Sequence, residues 1–179
     1  GRPLRTPPAY ARHIALDAEF GEKSGWERVN WYNSNEDPQY EYLRPRGWAG
    51  QHWSTAIVTE HLATRTTAGI FDESSFSKIE VSGSGAVAFL QRMCTNNVDK
   101  APGSITYTQM LNSRGGIECD FTVTRLEEQR FLIVTGTAFG RRDLSWISAH
   151  SPTDGSVIIR DVTGSMGCFG VWGPNARAI

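Results

Sequence analysis

Tyr107-Thr108-Gln109-Met110-Leu111-Asn112-Ser113-Arg114-Gly115-Gly116-Ile117-Glu118-Cys119-Asp120 is the stretch on which the fold turns. Ile105–Leu111 reads as a strand, and Asn112 to Gly116 is a run of turn-permissive residues. Ile117–Leu126 runs back, which makes an antiparallel hairpin. Residues equally far from such a turn become cross-strand neighbours. Tyr107 and Asp120 lie at comparable distances from it, and a bulge or small register change puts both on one face. Aspartate is disfavoured inside strands, so a carboxylate there must be solvated, paired or used. Glu118 has the parity of Asp120 and is expected on the same face. Periodicity alone leaves open whether these acids form a site or are simply exposed strand acids.

Working outward, Ser77–Ser82 alternates Ile79 and Val81 with Lys78 and Glu80, the pattern of a half-buried strand. Gly83-Ser84-Gly85 ends it and opens a helix with Ala86, Phe89, Leu90 and Met93 on one face. Glu127-Glu128-Gln129 is a second turn, followed by the apolar strand Phe131–Thr135. Arg141–His150 is helical, and Val157–Asp161 and Cys168–Trp172 are further strands. Upstream, Ser54–Thr67 reads as a helix capped by Ser54. Hairpins mixed with helices give an α+β fold of mixed and antiparallel sheets with flanking helices, not a βαβ alternation. There is also a faint internal echo. Val81-Ser82-Gly83 leads into a helix, and Val171-Trp172-Gly173 leads into Pro174 and a second expected helix that is cut off at Ile179. The expectation is a pseudo-repeat whose second half is missing.

Residues 1–50 differ from the rest. Five of the eight prolines fall there (Pro3, Pro7, Pro8, Pro38, Pro45), with Trp26, Trp31, Tyr32, Tyr40, Tyr42 and Trp48. We read this part as an irregular arm with one short helix over Tyr10–Phe20, either a self-contained loop or an interface with another domain. The domain reading is therefore 1–50 as the arm and 51–179 as the first part of a domain truncated at its C-terminus. With 18 basic against 19 acidic residues, no basic excess points to nucleic acid or anionic lipid. No apolar run approaches the ~20 residues of a membrane span, and the N-terminus has no signal-peptide core. Cys94, Cys119 and Cys168 are few and widely spaced, which fits packing roles in a reducing compartment. His13, His52, His61 and His150 are scattered, without metal-ligand spacing. Gly83-Ser84-Gly85 lacks the lysine of a phosphate loop and the third glycine of a dinucleotide fingerprint. Gly136-Thr137-Ala138-Phe139-Gly140 lacks a nucleophile elbow.

Several stretches together resemble the aminomethyltransferase (T-protein) family of the glycine cleavage system. Gly25-Trp26-Glu27 followed by Trp31-Tyr32 is similar to the family's N-terminal segment, and Gly69-Ile70-Phe71-Asp72 to its G-x-F-D turn. Ala86-Val87-Ala88-Phe89-Leu90-Gln91 and Thr95-Asn96-Asn97-Val98 are similar to its first helix and exit. The hairpin from Tyr107 to Asp120 is the most specific match, and Gly170-Val171-Trp172-Gly173-Pro174-Asn175-Ala176-Arg177 resembles a later strand-to-helix junction. The opening Gly1-Arg2-Pro3-Leu4-Arg5-Thr6-Pro7-Pro8, Gly25-Trp26-Glu27-Arg28 and the segment 135–140 resemble the C-terminal folate domain of dimethylglycine and sarcosine dehydrogenases and oxidases.

The resemblance implies the N-terminal part of the aminomethyltransferase folate-binding fold, with tetrahydrofolate as cofactor and one-carbon transfer as the activity. The parent enzyme would carry FAD in a separate flavin domain, the partner of the arm; the fragment alone would be inactive. By resemblance, Asp120 is the catalytic carboxylate beside the reactive folate nitrogens, Tyr107 positions the ligand, and Phe76 and Thr122 line the same pocket. Two departures bear on the walls: Ser74-Ser75-Phe76 stands where the family has Ser-His-Met, and Cys119 replaces an acid. The rival readings are a stand-alone aminomethyltransferase acting on a lipoyl-bound aminomethyl group, and a non-catalytic folate-binding scaffold. Nucleic acid and membrane are not expected partners. Self-association into a homo-oligomer would cover apolar surface left by a truncated core. The expected location is the cytoplasm, or the mitochondrial matrix in a eukaryote.

Overall fold

The computed structural model describes all residues, Gly1–Ile179, and they gather into two compact units: Gly1–Ser75 with Gly167–Ile179, and Phe76–Met166. No helix is long and apolar enough to cross a membrane.

In the first unit, α1 (Tyr10–Ala15) is shorter than the helix expected over Tyr10–Phe20. Asp17 adopts a φ of 59°, outside the helical region, and β1 (Ala18–Lys23) begins directly after it. β1 pairs antiparallel with β2 (Trp26–Tyr32). Both residues of the connecting turn, Ser24 and Gly25, have positive φ (52° and 85°), the twist that a tight two-residue hairpin demands. The segment 1–50 thus carries regular structure and belongs with residues 51–75 and 167–179. One-turn α2 (Trp48–Gln51) precedes α3 (Thr55–Thr66). Ser54 caps α3 as expected: its Oγ accepts from the Ala56 N–H at 3.1 Å. β3 (Gly69–Asp72), read from sequence only as a turn, pairs antiparallel with β9 (Phe169–Trp172). The helix expected after Pro174 is only a 3₁₀ turn at Ala176–Ala178.

The second unit is one antiparallel sheet with two helices on one face. Its strands are β4 (Ser77–Ser82), β5 (Ile105–Leu111), β6 (Ile117–Glu127), β7 (Arg130–Thr135) and β8 (Ile158–Asp161), in the order β5-β6-β7-β4-β8. The period-two alternation decides which side chains go inward. Ile79, Val81, Met110, Cys119, Phe121, Val123, Phe131 and Ile133 point to the core, where they meet Ala86, Phe89 and Leu90 of α4 (Ala86–Met93) and Ile147 of α5 (Gly140–Ala149). α5 approaches β4 so closely that a Cβ at Gly140 would lie 1.8 Å from Ser77 Oγ. Only glycine fits there.

Candidate functional site

With both helices on one face, the other face of the five-stranded sheet carries the residues singled out above. Tyr107 pairs with Thr122, Thr122 with Val134, and Val134 with Lys78, a row of side chains running across four strands. One step along, Gln109 pairs with Asp120. Tyr107 and Asp120 are therefore diagonal neighbours on one face, and both are exposed. The Asp120 carboxylate raises the pKa of the Tyr107 phenol, first by accepting its hydrogen bond and then by charge, while a bond from Gln109 works the other way.

Phe76, half-buried, immediately precedes β4. β4 lies two strands from β6, so Phe76 stands roughly 10 Å across the sheet from Asp120. Continuing the two registers one residue past the end of β7 puts Gly136 level with both. Gly136 carries no side chain at that level, and the Phe139 ring packs there instead: a Cβ on Gly136 would lie 3.3 Å from it. Thr122, half-buried, places its hydroxyl one pleat further along. The four residues expected to form a site therefore share one end of one sheet face.

Glu118 does not join them, contrary to its parity. The register slips between Met110 and Leu111: Met110 pairs with Cys119, but Leu111 pairs with Ile117. Glu118 is the extra residue of this bulge. Its carboxylate is taken by Asn112 Nδ2 at 2.8 Å and by the guanidinium of Arg142 on α5.

Beneath the site, on the core side, lies a buried group that sequence reasoning missed. Asp143, 1% exposed, accepts a 2.6 Å bond from Thr135 Oγ1, and its Oδ1 has no hydrogen-bond partner. Burial raises its pKa above the usual carboxylate range, and the Asp120 charge adds to this. Burial, with Asp143 nearby, pushes the Cys119 thiol up to about 12. Nothing in the spacing of Asp143 marks it; only the packing of α5 under β6 and β7 does. Gln109 did carry a signal, since it alternates in phase with Tyr107. All three cysteines are free thiols, Cys94 and Cys119 buried and Cys168 half-buried.

Comparison with known proteins agrees with this geometry. The model of the GCVT N-terminal domain matches residues 9–179. The chain is 35% identical over 180 residues to 4-methylaminobutanoate oxidase (formaldehyde-forming) of Paenarthrobacter nicotinovorans, covering all of this chain and 21% of that protein. It is 29% identical over 181 residues to mitochondrial dimethylglycine dehydrogenase of Rattus norvegicus, covering 20% of it. The crystal structure of glycine cleavage system aminomethyltransferase T from Bartonella henselae superposes with a TM-score of 0.74 at 27% identity, over 98% of this chain and 42% of that one. The chain thus spans about a fifth of these oxidising relatives and two fifths of the solved aminomethyltransferase. An antiparallel sheet with helices on one face, the aspartate-bearing hairpin and the match over residues 9–179 lead to one statement: this chain belongs to the GCVT N-terminal domain family.

Proposed function

We propose that this chain supplies the Asp120 face of a tetrahydrofolate-dependent one-carbon transfer site, within a flavin-dependent enzyme that oxidises an N-methyl amine of the dimethylglycine or sarcosine type. The observation that carries the reading is the placement of Tyr107 and Asp120 as diagonal neighbours on the sheet face that the helices leave uncovered. The residues there fit a flat, amine-bearing ring. The side chains beside Asp120 are a phenol ring, a hydroxyl and Val134, and the Phe139 ring packs over Gly136 at the level of Asp120. Bound tetrahydrofolate would supply the nitrogens that accept the one-carbon unit. As a carboxylate, Asp120 accepts a hydrogen bond from such an N–H and stabilises positive charge developing beside it, then takes up the proton that the nitrogen loses. Tyr107 offers its ring face and its hydroxyl to the ligand. Thr122 lends a second polar contact one pleat away. The oxidase relative aligns with the whole chain at 35% identity, which supports the oxidising branch.

The test uses the intact polypeptide that carries this domain. Asp120→Ala is expected to lower the yield of methylenetetrahydrofolate by about 10²–10⁴-fold, the range for loss of a positioned acid–base group, with amine oxidation unchanged. Equal loss of both activities, or of neither, would contradict the role given to Asp120.

A further inference from the structure

The first unit holds a cavity of about 310 Å³ bounded by β2, α3 and β3, well away in the chain from the hairpin of the proposed transfer site. Glu60 of α3 lines it. One oxygen of this carboxylate is fully used: Oε1 accepts from the Tyr32 N–H at 2.8 Å and from Asn35 Nδ2 at 2.9 Å. The other, Oε2, has no donor in the chain. Two fixed bonds on one oxygen hold the second in a set position at no further conformational cost.

The aromatic wall is equally fixed. Tyr32 Oη lies 2.8 Å from His13 Nδ1, and His13 Nε2 lies 2.7 Å from Asp72 Oδ2. The His13 and Asp72 side chains are only 9% and 4% exposed. The other oxygen of Asp72 accepts from the Ser74 N–H at 2.9 Å. With Asp72 accepting the Nε2 proton, Nδ1 accepts the Tyr32 O–H. The hydroxyl is used inward and the ring remains as a wall of the cavity. Val29, Ala68 and Phe71 add apolar surface. Three carboxylates (Glu60, Asp72, Glu73) and one guanidinium (Arg28) line the cavity, so its formal charge is 1 − 3 = −2.

We propose that this cavity is a binding site for a small organic cation, an ammonium or guanidinium group, held by Glu60 Oε2 with the Tyr32 ring beside it. A pre-set carboxylate next to an aromatic face is the arrangement that attracts such groups. Hard metal ions are poorly served, because they require several oxygens converging on one point. This inference stands independently of the proposed one-carbon transfer.

The test is a titration of the 179-residue chain with ethylammonium and methylguanidinium chlorides, followed through the backbone amides of Tyr32, Glu60 and Gly69 by NMR. Sodium chloride and sodium acetate at matched ionic strength are the controls. Saturable shifts in the millimolar range are expected for the organic cations alone, given how few atoms they bury. Glu60→Gln keeps the acceptor for Tyr32 and Asn35 but removes the charge, and should weaken binding at least about tenfold, the effect of one charge-assisted bond. Should that variant fail to fold, Ala63→Leu decides instead: it keeps the carboxylate, sits at an exposed position on the cavity wall, and should abolish binding by filling the space. Shifts that never saturate, equal shifts with acetate, or affinity unchanged in a folded Glu60→Gln or Ala63→Leu variant would overturn the proposal.

Discussion

Replacing Arg125 by Met should destabilise the chain by about 2–4 kcal/mol, and nearly all of that loss should come from two carbonyl oxygens rather than from ion pairs. Arg125 is an inward member of β6, only 8% exposed, with its guanidinium 5.4 Å from the centre of the Phe131 ring. Nη1 donates to the Lys100 carbonyl at 2.5 Å and to Asp99 Oδ1 at 2.8 Å, and Nη2 donates to the Glu128 carbonyl at 2.7 Å. One side chain thus ties the 99–104 loop to the β6–β7 turn. The Asp99 and Glu128 side chains are 52% and 81% exposed, so each ion pair is worth at most about 1 kcal/mol. Bonds from a charged donor to carbonyls are worth about 1.5–3 kcal/mol each, and the bare Nε–H, buried without a partner, subtracts from the total. Methionine keeps the apolar stem against Phe131, so the packing term largely cancels. Urea unfolding of Arg125→Met, Asp99→Asn and the double variant separates the contributions. Asp99→Asn should cost under about 1 kcal/mol, and high salt should leave the cost of Arg125→Met almost unchanged. An Asp99→Asn effect as large as that of Arg125→Met, or an Arg125→Met cost below about 1 kcal/mol, would refute the reasoning.

Two further outcomes follow from groups with shifted titration. Burial pushes the Cys94 and Cys119 thiols up to about 12, so at pH 8 only about one molecule in 10⁴ carries either thiolate. A thiol reagent should modify Cys168 in the native chain and reach the other two only on unfolding. Because these folded values lie above the unfolded one, the stability they contribute is complete below about pH 9, and is lost as pH rises toward 12. Rapid modification of three thiols at pH 8 would contradict the burial. The Tyr107 phenol should titrate above an ordinary tyrosine because the Asp120 carboxylate opposes the phenolate, and Asp120→Asn should bring it down. Tyrosine ring-carbon NMR against pH reads this directly, and an unchanged Tyr107 titration in Asp120→Asn would separate the two side chains.

What could be read from the sequence was local. Alternation gave the strands Ser77–Ser82 and Ile105–Leu111 with their true limits, and Ser54 marked the start of α3. The placement of Tyr107 and Asp120 as diagonal neighbours on one face needed the hairpin turn and the bulge that the sequence reading allowed for. A plain count of residues failed for Glu118, because a bulge inserts one residue without any composition signal. The β1–β2 hairpin went unread because its aromatics and charged residues hide its alternation, although Ser24-Gly25 is a turn dipeptide. Gly136 at the level of Asp120 and Phe76 depends on two strand registers together, and Asp143 beneath them on helix packing. No window of sequence contains either.

Strand β6 separates the residues that hold the fold from those of the proposed site. Its inward residues Cys119, Phe121, Val123 and Arg125 are all under 9% exposed and fix the core and its loops. Its outward residues Asp120 and Thr122 lie between them, facing away from that core. An exposed side chain that packs against nothing in the core contributes little to folding, so exchanging Asp120 should change stability by no more than about 0.5 kcal/mol. Any loss of transfer in an Asp120 variant then reports on the site itself and not on unfolding. The reverse holds one residue away: a substitution at Phe121 or Val123 should abolish transfer only as far as it unfolds the sheet. A period of two along one strand thus assigns alternate residues to the core and to the face of the proposed site.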